Sequence, residues 1–108
     1  MEDLTSHEME RQRTACQYIL GACFLDPSVI SHVVTMLEPE AFHKMDDRLI
    51  FESILEVFNR GDTVTCLLVS EQLDKGKNLS RAGGDIHLFD LMNSVVEVDS
   101  VEHICGLV

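Results

Sequence analysis

The segment from Asp46 to Gly61 constrains the fold most, because its apolar residues recur at helical spacing. Five large apolar side chains fall on one side of a helix: Ile50, Phe51, Ile54, Val57 and Phe58. Leu49 and Leu55 widen this apolar face beyond that of an ordinary surface helix. We therefore predict a small bundle in which other helices cover this central one, with Phe51, Ile54 and Phe58 buried.

The ends of the central helix carry residues that are typical of helix termini. Asp46 is placed to accept hydrogen bonds from the first free backbone N–H groups, as an N-cap residue does. Gly61 follows Arg60 and supplies the left-handed residue that commonly comes directly after a helix. The central helix is therefore predicted to end at Arg60.

A first helix is predicted to precede it, opened by the capping box of Thr5 and Glu8 and ending near Leu25. Its apolar residues repeat at helical spacing: Cys16, Ile19, Leu20, Cys23 and Phe24. Gly21 and Ala22 lie within this run. Their small side chains would allow another helix to approach closely.

A second helix is predicted between Asp26 and Pro39. Asp26 serves as its N-cap, Pro27 as its first residue, and Pro39 stops it, since the residue before a proline avoids helical angles. Its buried stripe comprises Val29, Ile30, Val33, Val34 and Leu37. A single turn follows over 39–42, with Phe42 as its buried anchor.

Three further helices are predicted after the central one. Thr65 caps a short helix that ends at Gly76, and Asp85 caps a second helix after a loop. The second of these carries four apolar positions: Leu88, Leu91, Met92 and Val95. The last helix is predicted to start at Asp99 or Ser100 and to continue through Val108, so we expect the natural chain to extend further.

The fold class that these segments predict is all-α, a compact bundle of about five to six helices. Sustained strand alternation is absent, and 108 residues, 45% of them hydrophobic, suit one domain. No apolar run approaches the roughly 18 residues that a membrane-spanning helix requires, and the N-terminus is unlike a signal peptide. We therefore expect a cytoplasmic protein that does not contact membranes.

The charge balance excludes one class of function for this chain alone. Eight basic residues stand against nineteen acidic ones, which gives a net charge of −11. Proteins bind nucleic-acid backbones through many Lys and Arg contacts, which this surface cannot supply. We expect no direct DNA or RNA binding, and a basic or apolar partner instead.

Catalytic and metal-binding motifs are not evident. The four cysteines form no CxxC pair and read as reduced core thiols, and the five histidines match no zinc motif. Gly76-Lys77 fails as a phosphate loop, since Glu71 and Asn78 stand where Gly and Ser or Thr are required. Acid pairs such as Asp46 and Asp47 are interpreted as solvated helix starts. We therefore predict no catalytic residue and no metal site.

The order of several segments resembles the N-terminal domain of DnaB-type replicative helicases, over roughly residues 8 to 108. The matching segments are Ile19–Pro27, Glu38–Phe42, Asp47–Phe51 with Leu55 and Gly61, Ala82–Gly84 with Leu88, and Val101–Val108. The departures are Asp47-Arg48, Thr65, His87 in place of an aromatic residue, and 96–99 in place of a Pro-Ser/Thr-Ala-Asn segment. Divergence of this degree suits a phage or plasmid helicase.

The resemblance implies a non-catalytic collar domain of a hexameric helicase, which assembles the ring and binds primase. It implies a primase surface at Gly83, Gly84, Asp85 and His87, and oligomerisation through Val101, Ile104, Cys105 and Val108. It divides the chain into a globular domain over 1–98 and the start of a linker or hairpin helix over 99–108. This chain alone would then be monomeric or weakly self-associating.

The same resemblance places all catalysis outside this chain. An ATP-dependent 5′ to 3′ motor domain would bind ATP and Mg and contact DNA, while this chain would need no cofactor. The competing hypothesis is a free-standing acidic regulator that mimics the charge of DNA. The net charge of −11 favours that hypothesis, and the unfinished last helix argues against it.

Overall fold

Six α-helices and two short 3₁₀ turns, without a strand, make up residues 6–108, which the computed structural model describes. The helices are α1 (Ser6–Leu25), α2 (Ile30–Met36), α3 (Met45–Asn59), α4 (Cys66–Lys75), α5 (Gly84–Asn93) and α6 (Val101–Cys105). The 3₁₀ turns are Pro27–Val29 and Pro39–Ala41. This confirms the predicted all-α bundle; the capping residue Thr5 lies outside the described residues.

The central helix α3 is buried along the predicted face. Ile50, Phe51, Ile54 and Val57 are all 0% exposed, whereas Phe58 is only half-buried. Phe42 anchors the preceding turn as predicted, with its ring centroid 4.6 Å from that of Phe51. The Arg48 side chain also donates a hydrogen bond to the Phe42 carbonyl, so α3 and the turn are tied together.

Helix α1 crosses the bundle and packs against α3, α5 and α6, while α4 packs against α3 and α5. The contact between α1 and α5 is closest at Gly21. A side-chain carbon at Gly21 would lie 2.2 Å from the Leu91 carbonyl oxygen and 2.7 Å from Val95 Cγ2. The close approach predicted from the small residues of this helix is therefore observed, and a glycine is what permits it.

Two predicted N-caps are wrong. Helix α3 begins after Lys44, so Asp46 lies in its first turn, where its carboxylate accepts a hydrogen bond from the Asp47 backbone N–H. Helix α5 is preceded by Gly83, with φ of 106°, so Asp85 also lies within the first turn. An acidic side chain interacts favourably with the positive end of the helix dipole both at the N-cap and in the first turn. The sequence pattern therefore did not distinguish these two positions.

Other predicted helix ends are confirmed. The Asp26 carboxylate accepts from the Ser28 backbone N–H, although the helix it opens begins as the 3₁₀ turn. The Thr65 hydroxyl accepts from the Leu68 N–H at 3.1 Å and caps α4. Gly61 is left-handed with φ of 87°, whereas after α4 the left-handed residue is Lys77 rather than Gly76.

The last helix is shorter than predicted. It ends at Cys105, and Leu107 and Val108 donate backbone hydrogen bonds three residues back, in the tighter pattern common at helix ends. Gly106 at the end of this helix contributes weak helix propensity. The continuation of the helix to Val108 is therefore wrong for this structure.

No single helix within residues 6–108 is long and apolar enough to cross a membrane. Taken together, Ser6–Leu25 and Pro27–Met36 satisfy that length and composition test as a pair bent by 118°.

Replacing Gly21 with alanine tests the contact between α1 and α5. The gain in helix propensity, about 1 kcal/mol, should be outweighed, because overpacking a rigid backbone costs roughly 1–3 kcal/mol. We expect Gly21→Ala to lower the free energy of unfolding in urea melts. Glu10→Ala, at an exposed position of the same helix, should change it by less than about 0.5 kcal/mol. A Gly21→Ala variant as stable as wild type would contradict this packing.

Candidate functional site

Charged side chains from three helices meet where α3 begins. Arg13 of α1 donates to Asp46 Oδ2 at 2.9 Å, and its Nε lies 3.9 Å from Asp47 Oδ2. His87 of α5 joins the two acids: one ligand atom each of Asp46, Asp47 and His87 lies within 4.8 Å of the others. We call these four residues the Asp47 cluster. Arg13, the adjacent pair Asp46 and Asp47, and His87 are far apart in the sequence, so only the packing of α1, α3 and α5 brings them together.

Asp47 is the buried member of the Asp47 cluster. It is 1% exposed, so the interpretation of Asp46 and Asp47 as a solvated pair is wrong for Asp47. Burial raises the pKa of its carboxyl from 3.8 to about 6; the Arg13 guanidinium opposes this rise, and the Asp46 carboxylate adds to it. Asp47 falls on the side of α3 that faces the bundle. Its spacing along the helix relative to the apolar residues was the only sign in the sequence that it is buried.

Two polar atoms of the Asp47 cluster lack partners. Asp47 Oδ1 and His87 Nε2 are both inaccessible to solvent and have no hydrogen-bond partner among residues 6–108. Such a buried group ordinarily costs about 1–3 kcal/mol. A carboxylate oxygen and an imidazole nitrogen that are both free can accept a proton, a hydrogen-bond donor or a metal ion.

Gly83 sets the position of the His87 ring. A side-chain carbon at Gly83 would lie 2.7 to 2.9 Å from three carbon atoms of His87. The positive φ of 106° at the same residue also favours glycine. Gly83 therefore has a structural role that the glycine pair in the sequence did not reveal, which is to let His87 lie against the turn before α5.

A cavity of about 400 Å³ opens beside the Asp47 cluster. Its walls are formed by Met9, Gln12, Arg13, Cys16, His43, Lys44 and Asp47. Burial, together with the nearby Asp47 carboxylate, raises the pKa of the Cys16 thiol to about 11. A thiol with this pKa is a poor nucleophile at neutral pH. Cys16 therefore acts as a core residue, as the sequence predicted for all four cysteines, each of which is buried and unpaired.

The residues predicted to bind a partner lie at the start of α5. Asp85 is exposed and its carboxylate accepts a hydrogen bond from the Ser70 hydroxyl of α4, while His87 is half-buried and turned toward Asp47. Sequence reasoning missed two exposed apolar neighbours: Ile86 is 77% exposed and Phe89 is 49% exposed. They lie three residues apart on α5 and outside the apolar stripe of Leu88 and Leu91. That offset was the sign in the sequence that these two side chains are exposed. We call Asp85, Ile86 and Phe89 the α5 surface.

The residues predicted to mediate oligomerisation divide into two pairs. Val101 and Cys105 are buried within this chain, where α6 packs against α1 and α2. Ile104 and Val108 are half-buried, and Ile104 lines a second cavity, of about 490 Å³, between α1 and α6. Residues 101–105 therefore pack on the bundle. Their role in oligomerisation, and the domain boundary at residue 98, stay predictions.

Comparison with known proteins identifies relatives by sequence. Residues 8–108 match the family model described as the DnaB-like helicase N terminal domain. The chain is 31% identical over 109 residues to the replicative DNA helicase DnaC of Bacillus subtilis (strain 168). It is 32% identical over 109 residues to the replicative DNA helicase DnaB of Geobacillus stearothermophilus. Each match covers 100% of this chain and 24% of the relative, so the chain spans about a quarter of their length.

The fold also matches a solved structure. The crystal structure of the N-terminal domain of DnaB helicase from Mycobacterium tuberculosis superimposes with a TM-score of 0.82 at 26% sequence identity. The match covers 86% of this chain and 65% of that chain. Sequence and fold therefore point to the same group of proteins.

The buried carboxyl of Asp47 predicts a pH dependence of stability. Its pKa is about 6 in the folded protein, above the ordinary 3.8, so the folded state holds the proton more tightly. The contribution of Asp47 to the free energy of unfolding should therefore be fully present below about pH 4 and fall by roughly 3 kcal/mol as the pH rises through 6. Urea melts with a chelator present, from pH 4 to 7.5, measure this fall.

Asp47→Asn should abolish that fall, because an amide carries no charge to bury. Asp74→Asn, at an exposed position on α4, should retain the wild-type pH profile. Parallel profiles for wild type and Asp47→Asn would show that the carboxyl is not desolvated in the folded state.

Alanine at either glycine of the turn tests how His87 is positioned. Gly83→Ala and Gly84→Ala both force a left-handed conformation on alanine, at about 1–2 kcal/mol each. Only at Gly83 would the new carbon meet His87, because nothing lies within 4 Å of that point at Gly84. We expect Gly83→Ala to be less stable than Gly84→Ala by at least about 1 kcal/mol.

The same comparison in a His87→Gly background provides the control, because one of the three carbons that the new atom would meet is His87 Cβ, which alanine would keep. Removing the whole side chain removes the clash, so the two alanine variants should become equally stable, as a double-mutant cycle would record. A difference that persists without the ring would place its cause in the backbone.

Proposed function

The chain belongs to the family of DnaB-like helicase N-terminal domains, and we propose that it is a non-catalytic interaction domain of a replicative DNA helicase. This membership confirms the resemblance that the order of sequence segments indicated. In this role the domain assembles the helicase ring and recruits primase during DNA replication. The observation that carries the recruitment proposal is the α5 surface, which presents two large apolar side chains to solvent beside an acidic one.

The chemistry of the α5 surface supports a protein partner. Interface centres favour exposed aromatic and aliphatic side chains set in a polar rim, and Phe89 and Ile86 beside Asp85 provide that combination. The net charge of −11 supports a partner that carries basic residues, since complementary charge accelerates association. The same charge argues against a nucleic-acid backbone as the ligand of this domain.

The functions of the whole protein are also proposals, since the chain spans 24% of the relatives it matches. We propose that a separate motor domain binds ATP and Mg, unwinds DNA 5′ to 3′ and makes the DNA contacts. Sister subunits of the same helicase are then partners of this domain in a hexamer. The replication fork, in the cytoplasm of a bacterial cell or a phage-infected host, is the proposed location.

The competing hypothesis of a free-standing acidic regulator is not favoured. It rested on the net charge, and the family match over residues 8–108 accounts for the chain without invoking mimicry of DNA. Acidic composition is compatible with both hypotheses, so it does not decide between them.

Calorimetry with the helicase-interacting domain of the primase from the same genome tests the recruitment proposal. We expect binding to the wild-type chain, and Ile86→Ser or Phe89→Ser to weaken it at least about tenfold, as for truncated interface anchors. Asp85→Lys should weaken binding more at low salt, where exposed charges are less screened. Val96→Ser is the matched control, because Val96 is 92% exposed but lies outside α5.

Circular dichroism and urea melts should show that each variant is folded as wild type. Equal affinity of the α5 variants and Val96→Ser would exclude the α5 surface as the docking site. Failure of primase to bind, or binding of short single-stranded DNA by the isolated chain at physiological salt, would overturn the proposed recruitment role.

A further inference from the structure

The Asp47 cluster contains a set of donor atoms that the proposed helicase role does not use. One ligand atom each of Asp46, Asp47 and His87 lies within 4.8 Å of the others, and they come from the first turns of α3 and α5. The start of α3 holds the two carboxylates and the start of α5 holds the imidazole, so the donors lie on two rigid elements. Three donors held in this way can enclose an ion without reorganising the fold.

A second observation points to a ligand for this set. Asp47 is 1% exposed, and its Oδ1 has no hydrogen-bond partner within the described part of the chain, 6–108. His87 Nε2, also shielded from solvent, is unpartnered in the same range. An exposed acidic patch has water to satisfy it, whereas Asp47 Oδ1 and His87 Nε2 are both shielded from solvent. A single ion bound by both residues would satisfy both atoms.

We propose that Asp46, Asp47 and His87 form a binding site for a divalent transition-metal ion of the zinc class. An imidazole nitrogen together with carboxylate oxygens is a donor set that zinc accepts. Magnesium and calcium prefer oxygen donors alone and more of them, so the His87 nitrogen selects against both. Three protein donors leave a fourth position of a tetrahedral ion for water.

The distances allow such a site with small movements. Zinc bonds to nitrogen and oxygen are about 2.0–2.2 Å, which places tetrahedral donor atoms roughly 3.4 Å apart. The donor atoms of Asp46, Asp47 and His87 now lie up to 4.8 Å apart, so they must approach one another by up to about 1.4 Å. Rotation of the carboxylates supplies this movement, while Gly83 leaves the His87 ring in place against the turn.

Arg13 is the competitor for this site. Its guanidinium lies 2.9 Å from Asp46 Oδ2 and 3.9 Å from Asp47 Oδ2, so it neutralises part of the negative charge in the absence of an ion. The side chain is 30% exposed and can turn toward solvent when an ion replaces it. Lys44 also borders the neighbouring cavity and adds positive charge. Removing the Arg13 charge should therefore strengthen ion binding, which a purely structural cluster would not predict.

Titration calorimetry with zinc chloride on the chelator-treated chain tests the proposal. We expect one ion per chain, with His87→Ala and Asp47→Asn each weakening binding at least about tenfold. Arg13→Gln should tighten binding several-fold. His32→Ala, at an exposed position away from the Asp47 cluster, is the matched control and should bind zinc as wild type does.

The visible absorption of bound cobalt provides a second readout, independent of stability. Wild type should show the bands of a tetrahedral site, and His87→Ala should lose them while remaining folded by circular dichroism. Absence of saturable zinc binding, binding unaffected by both His87→Ala and Asp47→Asn, or loss in His32→Ala would overturn the proposal. None of these results bears on primase binding, so the two proposals fail separately.

Discussion

The fold depends on one requirement, which is that other helices shield the apolar side chains of α3 from water. This helix is apolar around most of its circumference. Helix α3 buries Ile50, Phe51, Ile54 and Val57 completely, and burial of each side chain of this kind contributes about 1.5–3 kcal/mol. α1 and α4 pack on this helix, and α5 joins them by approaching α1 at Gly21. The short segments between them act as anchors, since Phe42 stacks beside Phe51. The domain is organised from α3 outward.

The same requirement explains why a carboxylate is buried at the start of α3. Helical phase turns Asp47 toward the bundle, while Asp46 stays near the surface and pairs with Arg13. The desolvated carboxyl then has a raised pKa, and the neighbouring His87 Nε2 is left without a hydrogen-bond partner in the described residues. The buried, unpartnered atoms of Asp47 and His87 therefore lower the stability of the fold at one site, next to a cavity. Ionisable groups with shifted pKa values are common at the binding sites of proteins.

Two regions of the domain can thus serve separate purposes. The α5 surface is apolar, exposed and acidic at its edge, which suits a protein partner, whereas the Asp47 cluster centres on a buried carboxylate and suits a small ion. His87, which the sequence placed among the partner-binding residues, also contributes a donor atom to the Asp47 cluster.

The sequence by itself determined the helices and their apolar faces, because helical periodicity, turn glycines and capping residues such as Thr65 act locally. It also identified the family, through the order and spacing of short segments. The Asp47 cluster was decided only by tertiary structure, because Arg13, Asp47 and His87 meet through packing that no local pattern encodes. The same holds for the N-caps of α3 and α5. Acidic residues are favourable at several positions in the first turn of a helix, so their presence does not fix the residue at which the helix begins. Tertiary contacts decide that residue.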